Sequence, residues 1–403
     1  MSYFGTTSLN PATSTLDAGT RVRISQITTL VDGKILNTDN TNVFDTQGTG
    51  TGLYGQNKYN MSVTAGQYLV RQTRRFAPYF AGKSQMCECT FDNFQSETGT
   101  TKRVGYFSTS ATVPYSATTD GFWLENNGTT ISIKASRSGT TTVDVPMSAW
   151  TNYNSVSTYD WSHFTVILFD FLWLGGAVLR LFLKTDQGFV LCHTVNYAGS
   201  ATDVFILSPN QPIRYEIKST TGTGSLRYIC SQVATEGSTE EHGYNNSVQS
   251  LSTAAVASNT IAVIGTIYPL KAIRKLATHR DCAVKVTGVG VYCSSTNDIV
   301  YWTLQLNPTL SAPLTYTSLS GSCIEEANGS AVAAISTTVT ASGRELCSGI
   351  IGTGQQIPTN LFEKDFLAFL GCSLNNTMDQ IVLCIRPITT NVTVNGVINV
   401  KEY

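Results

Sequence analysis

Charge is what this sequence has least of. Asp, Glu, Lys and Arg make up 13% of its 403 residues, about half the usual share. Net charge is −1, so no global field draws the chain to nucleic acid or to an anionic membrane. Histidine is also scarce, with four residues, His163, His193, His242 and His279. No CxxC or HxxxH spacing occurs, which leaves tetrahedral zinc without a recognisable ligand set. Neither a GxSxG elbow nor a spaced carboxylate pair is present, so the motifs of serine hydrolases and glycosidases are missing. The opening MSYFGTTSLNPATSTLDAGT has no basic segment leading into an apolar one, and no secretory signal is expected. The most apolar stretch, Phe164 to Leu183, has the length of a membrane span, but Asp170 and Arg180 interrupt it and Gly175-Gly176 divides it. Each of those charges would cost at least ~2.5 kcal/mol near a bilayer centre.

What fills the space is Thr, Ser, Asn and Gly, with 33 Gly and 18 Tyr, a composition that suits β-structure. The Phe164–Leu183 run reads as two buried strands joined at the glycine pair. FVLCHTVNY follows as a third strand after the turn Lys184–Gly188. Strand-like segments recur every 8 to 12 residues across 59–236 with no convincing helix between them, the pattern of a sandwich or jelly roll. Asn127-Gly128, between GFWLEN and TTISIK, is a two-residue hairpin signal. The expected fold is all-β, with two consecutive antiparallel β-sandwich (jelly-roll-like) domains. In this reading 1–58 is an extended N-terminal arm or a loosely attached terminal strand with a long loop. Residues 59–236 form the first sandwich, 237–260 a linker and 261–403 the second sandwich. YPLKAIRKLATH (Tyr268 to His279) is read as extended. The ten cysteines are thinly spread in strand contexts and read as free buried thiols of a reducing compartment.

Individual residues yield little chemistry. Gly50-Thr-Gly52-Leu-Tyr-Gly55 matches GxGxxG in letters, but the preceding strand and following helix that a dinucleotide site requires are missing, and a loop is expected. Cys87 and Cys89 share a strand face. His193 alternates with Leu191 and Val195 and reads as a hydrogen-bonded interior histidine; His242 follows Glu240-Glu241 in a solvated cluster. Asp170, flanked by Val166, Leu168 and Leu172 on its face, needs donors, and Arg180 across the turn is a candidate partner. Arg71, Arg74 and Arg75, with Lys83 nearby, form the densest basic patch, read as subunit contacts or a solvated face.

The order of RQTRRFAPYFAGKSQ, GFWLENNGTT, FLWLGGAVLRLFLKTDQGFVLCHTVNYA, SPNQPIRYEI and SLRYICSQVATEG, followed by IYPLKAIRKL and LNPTL, resembles a family of tailed-bacteriophage virion structural proteins. The resemblance spans roughly 60 to 350, with PYFAGKS departing from a Pro-Gly-type turn. It implies a virion component assembled in the host cytoplasm, with a concanavalin- or laminin-G-like jelly roll followed by a second sandwich. It transfers no catalytic residue and no cofactor. The expectation is a non-enzymatic homo-oligomer, a trimer among the candidate states, decorating the capsid or projecting as a fibre. Its partners would be other capsid or tail proteins, without direct nucleic-acid or membrane contact. Arg71, Arg74, Arg75, Asp170 and Arg180 are its candidate assembly contacts. The alternative is a receptor- or glycan-binding tail or fibre module, with Trp123, Trp150, Tyr153 and Trp161 as candidate contacts to a host surface glycan.

Overall fold

A computed structural model describes residues 26–35, 38–109, 118–174, 176, 178–186, 188–237, 243–250, 259–261, 265–293, 299–328, 337–352, 356–360, 369–388 and 392–403. The protein is all-β and divides into two units, Met1–Glu241 and His242–Tyr403. No helix among the described residues is long and apolar enough to cross a membrane.

The first unit is a two-sheet sandwich. One sheet runs in the order β13 (Gly188–Asn196), β12 (Val178–Thr185), β11 (Thr165–Leu172), β6 (Gln85–Asp92), β15 (Gly224–Glu236), β4 (Lys58–Val63) and β3 (Thr51–Gly55). A further strand, β1 (Ile27–Asp32), also pairs with β15. The facing sheet runs β10 (Thr140–Pro146), β9 (Ile131–Arg137), β8 (Asp120–Asn126), β7 (Thr100–Ser108), β14 (Ile213–Ser219), β5 (Tyr68–Thr73) and β2 (Phe44–Gly48). All described pairings in this unit are antiparallel.

Period-2 alternation explains how the sheets meet. Ile167, Phe169 and Phe171 of β11 point inward and are fully buried. Phe169 and Phe171 meet Phe122 of the facing sheet at centroid distances of 5.1 and 4.9 Å, and Tyr106 meets Phe171 at 5.3 Å. Further along, Tyr215 and Tyr228 meet at 4.6 Å. These contacts join β11 and β15 to β7, β8 and β14, so an aromatic layer is the core of the unit. The three-strand meander expected around the Phe164–Leu183 run is β11–β12–β13. Gly175, one of the two glycines at its first turn, lies outside the described residues.

The second unit pairs a sheet of β16 (Tyr244–Gln249), β28 (Val392–Glu402), β19 (Val284–Cys293) and β26 (Gln356–Asn360), in that order, with β17 (Asn259–Ile261) also on β28. Its partner sheet runs β22 (Thr317–Ser318), β23 (Ile324–Asn328), β18 (Tyr268–Lys275), β27 (Gln380–Pro387), β20 (Ile299–Leu306) and β25 (Arg344–Gly352). A short ladder joins β21 (Thr309–Leu310) to β24 (Val339–Ala341). Gly396 shows how closely the two larger sheets approach. A Cβ there would lie 2.6 Å from the side chains of both Leu270 and Leu383, so only glycine lets β28 sit against β18 and β27.

Several boundaries differ from the sequence expectation. The segment assigned to an arm, 1–58, holds three strands that join the two sheets of the first unit, β1, β2 and β3. An outer strand needs only a few inward apolar groups, here Val31 and Phe44, because its ladder supplies the rest. Residues 1–25 lie outside the described residues. The linker assigned to 237–260 contains β16, whose Val248 enters the second core, so that sandwich begins before 261. The hairpin at Asn127-Gly128 has a four-residue loop: Asn126 opposes Ile131, and Asn127 N–H donates to the Thr130 carbonyl. The Asn127 carboxamide oxygen accepts from the backbone amides of Thr129 and Thr130, which holds the longer loop. The GxGxxG letters form β3 and a hairpin to β4, turned by Gln56 and Asn57 at φ 53° and 59°. Tyr268 to Lys275 is extended as β18, followed by a 3-10 turn at Ala277–His279. Of the cysteines, Cys282 and Cys323 form a disulfide, against the expectation of free thiols; the other eight are free. The two lie 41 positions apart and are brought together by the pairing of β23 with β18, a proximity that spacing alone cannot show.

Candidate binding groove

On the outer side of the first sandwich, β3, β4 and β15 place Thr51, Ser62 and Ser225 side by side: Thr51 opposes Ser62, and Ser62 opposes Ser225. Alternation sets this row. Ser62 lies between Met61 and Val63, both buried inward, so its hydroxyl must face out. With Val63, Thr64, Gln67, Glu97, Thr223 and Gly224 the row lines an open groove of about 370 Å³. Two glycines allow its narrow approach. A Cβ on Gly224 would lie 2.6 Å from Glu97 Oε2, and one on Gly50 would lie 2.7 Å from the Ser62 carbonyl oxygen.

Glu97 is the groove's one carboxylate, and it is held. Its Oε2 accepts from the Ser225 amide at 3.3 Å and pairs with Lys102 Nζ at 3.1 Å; its Oε1 accepts from Gln95 Nε2 at 3.1 Å. Lys102 is buried and also donates to the Asn93 and Gln95 carbonyls. Burial lowers its proton affinity, and Glu97 opposes that shift. Hydroxyls dominate the rest of the lining. Such a surface offers many hydrogen-bond donors and acceptors at fixed spacing, with exposed Leu53 in the next row, opposite Asn60. Composition shows that hydroxyls are abundant; only strand register shows which of them converge.

The residues singled out from sequence lie elsewhere. Trp123, Trp150 and Trp161 are 3–8% exposed and cannot offer a ring face to a sugar. Trp123 donates to Glu125 and lies under Arg103, Trp150 donates to the Val145 carbonyl, and Trp161 packs on Phe94 and Tyr159. The Trp123 and Trp150 indoles are buried with their N–H groups on a partner, as a buried indole requires. Tyr153 alone of the four is exposed.

The proposed assembly charges are mostly internal as well. Arg71 is buried, 3.9 Å from the Tyr59 ring and 4.6 Å from the Phe44 ring, with Asp39 at 2.5 Å and Thr46 at 2.9 Å. Arg75 is buried and donates to the Asn42 carbonyl at 2.6 Å. Arg74 and Lys83 are half-buried. Two of the patch's guanidiniums, Arg71 and Arg75, are therefore buried, which the 33-residue step from Asn42 to Arg75 conceals in the sequence. Asp170 and Arg180 oppose each other in register and pair at 2.5 Å, and Ser84 donates to Asp170 at 2.6 Å. His193 is half-buried against the Thr151 hydroxyl and amide, and burial lowers its pKa. Cys87 and Cys89 face the core with sulfurs 3.9 Å apart, and burial pushes the Cys87 thiol up. His242 lies outside the described residues.

Among the described residues one group brings metal-type ligands together, Cys282, Cys323 and Glu402. Its two sulfurs are bonded to each other. The Glu402 carboxylate accepts from the Cys323 amide at 2.9 Å and from Asn246 at 2.6 Å, so the cluster is a structural anchor for the last strand.

No family model and no curated protein matches the chain. Solved structures do. The carbohydrate recognition domain of Emp47p is 12% identical, covering 53% of this chain and 97% of that one at a TM-score of 0.34. The exoplasmic/lumenal domain of VIP36, bound to Ca2+ and Man3GlcNAc, is 11% identical, covering 52% and 90% at a TM-score of 0.35. A legume lectin-like domain from Entamoeba histolytica is 10% identical, covering 52% and 98% at a TM-score of 0.33. At such identities and scores the architecture rests on strand order and register alone.

Proposed function

We propose that this chain is a non-enzymatic recognition protein whose first unit binds saccharide in the groove between β3, β4 and β15. The observation that carries this reading is the convergence of Thr51, Ser62, Thr64, Thr223 and Ser225 around Gln67 and Glu97. A sugar ring presents hydroxyls that donate and accept, and this lining matches them with hydroxyls, an amide and a fixed carboxylate. The volume suits a small ligand, and openness to solvent makes single-site binding weak, with Kd on the order of 1 mM. Useful avidity would then come from several copies in one assembly.

A second reading is favoured by the segment order quoted above: a tailed-phage virion structural protein, assembling as a homo-oligomer that decorates or projects from the particle. The two readings are compatible, since a projecting sandwich presents such a groove to a host surface.

Titration of the full chain against a panel of mono- and oligosaccharides tests the first. Binding is expected, and Ser62→Trp, which fills the groove from an exposed strand position, should abolish it without lowering Tm. Silence across the panel, or unchanged binding by Ser62→Trp, refutes the groove. Antibody labelling of particles in electron micrographs tests the second, and unlabelled particles refute it.

A further inference from the structure

In the second unit, three side chains of complementary reactivity meet at the end of one sheet. Lys271 of β18 directly opposes Asn328 of β23, and Glu326 lies two residues before Asn328 on the same face. Lys271 Nζ is 2.9 Å from Asn328 Oδ1 and 2.7 Å from Glu326 Oε2. The lysine side chain is 1% exposed, whereas Asn328 reaches solvent. A buried amine held against a carboxamide, with a carboxylate touching the same nitrogen, is an arrangement for amide exchange.

We propose that Lys271 and Asn328 form an intramolecular isopeptide bond, with Glu326 carrying the protons. Glu326 takes a proton from the Lys271 ammonium, and the freed Nζ lone pair adds to Asn328 Cγ after rotation of the carboxamide presents its carbonyl face. The tetrahedral centre collapses as the Cγ–Nδ2 bond breaks. Glu326 passes the proton it took to the departing nitrogen, which leaves as ammonia, and so returns to its carboxylate. The second proton that Nζ sheds on becoming an amide converts the ammonia to ammonium. One C–N bond forms and one breaks, with no oxidant, reductant or further co-reactant. Strand pairing supplies the proximity that makes the amine competitive, since effective molarities for such held pairs reach about 10⁵ M or more. The exposed side of Asn328 gives ammonia its exit. The bond joins residues 57 positions apart and encloses the Cys282–Cys323 disulfide in the same loop. It is independent of the saccharide reading.

Peptide mass spectrometry of the purified full chain decides the matter. Expected is a branched peptide joining Lys271 to Asn328, with an intact mass lower by one ammonia. Asn328 precedes Gly329, and succinimide formation at such a pair loses the same ammonia, so the branch itself is the readout. Glu326→Gln and Lys271→Arg should each lack the branched peptide, while Lys271→Arg retains any succinimide loss. If either variant fails to fold, the wild-type digest still decides. Recovery of Lys271 and Asn328 only in linear peptides overturns the proposal, as does a branch of undiminished yield in Glu326→Gln.

Discussion

Truncating Asp170 to alanine should destabilise the first unit by about 3–5 kcal/mol, the cost of leaving a buried charge without its counter-ion. Three observations set that range. Asp170 and Arg180 are 3% and 5% exposed, they oppose each other across β11 and β12, and Ser84 supplies a second donor to the carboxylate. Alanine removes the carboxylate that the buried Arg180 guanidinium pairs with, on a face lined by Leu168 and Phe182. For a unit of this size the loss corresponds to roughly 6–20 °C in Tm. Urea unfolding followed by tryptophan fluorescence should show a lower midpoint with an unchanged slope. Asp170→Leu combined with Arg180→Met should recover most of the loss, because removing both charges also removes the desolvation cost. The combination is a coupling test, and the coupling should exceed about 1 kcal/mol for groups in contact. A loss below about 0.5 kcal/mol for Asp170→Ala, typical of surface positions, would refute the reasoning: water or flexible chain would then be screening the pair.

Acid stability should depend on Glu125. Burial disfavours its charged form, but Arg103 and Lys134 outweigh that and hold the carboxyl below its usual 4.5. A depressed folded value means the stabilisation is present above pH 4.5 and is lost as pH falls through the folded value. Glu125→Gln should therefore lower Tm at neutral pH and flatten its decline on the acid side; an unaltered acid limb would contradict this. Reducing Cys282–Cys323, which closes a loop of 41 residues, should cost the second unit about 3–4 kcal/mol. Calorimetry with and without reductant checks it, and the Cys323→Ser chain should be insensitive to reductant; an unchanged transition in wild type would refute the contribution.

The all-β class, the two sandwiches and the β11–β13 meander are legible in the sequence because strand alternation is local: Ile167, Phe169 and Phe171 announce an inward face wherever β11 ends up. The same letters also mark Asp170 as a group in need of a partner. What the sequence could not specify was the partner's register, and register is what placed Arg180 directly opposite. Polarity misled at 27–58 and 244–249, where strands at or near a sheet margin form on hydrogen bonds and a few inward groups such as Phe44 and Val248. It misled again at Trp123, Trp150 and Trp161, since an indole reads the same whether it lines a core or a binding face.

The groove and the Lys271–Glu326–Asn328 cluster were not legible at all. Each depends on residues from strands far apart in the chain, Ser62 beside Ser225 and Lys271 beside Asn328, and nothing in composition or spacing encodes that adjacency. Local patterning decides which side of a strand faces the core. Only the pairing of distant strands, set by packing of the whole sandwich, decides which exposed or buried groups become neighbours and therefore what chemistry they can share.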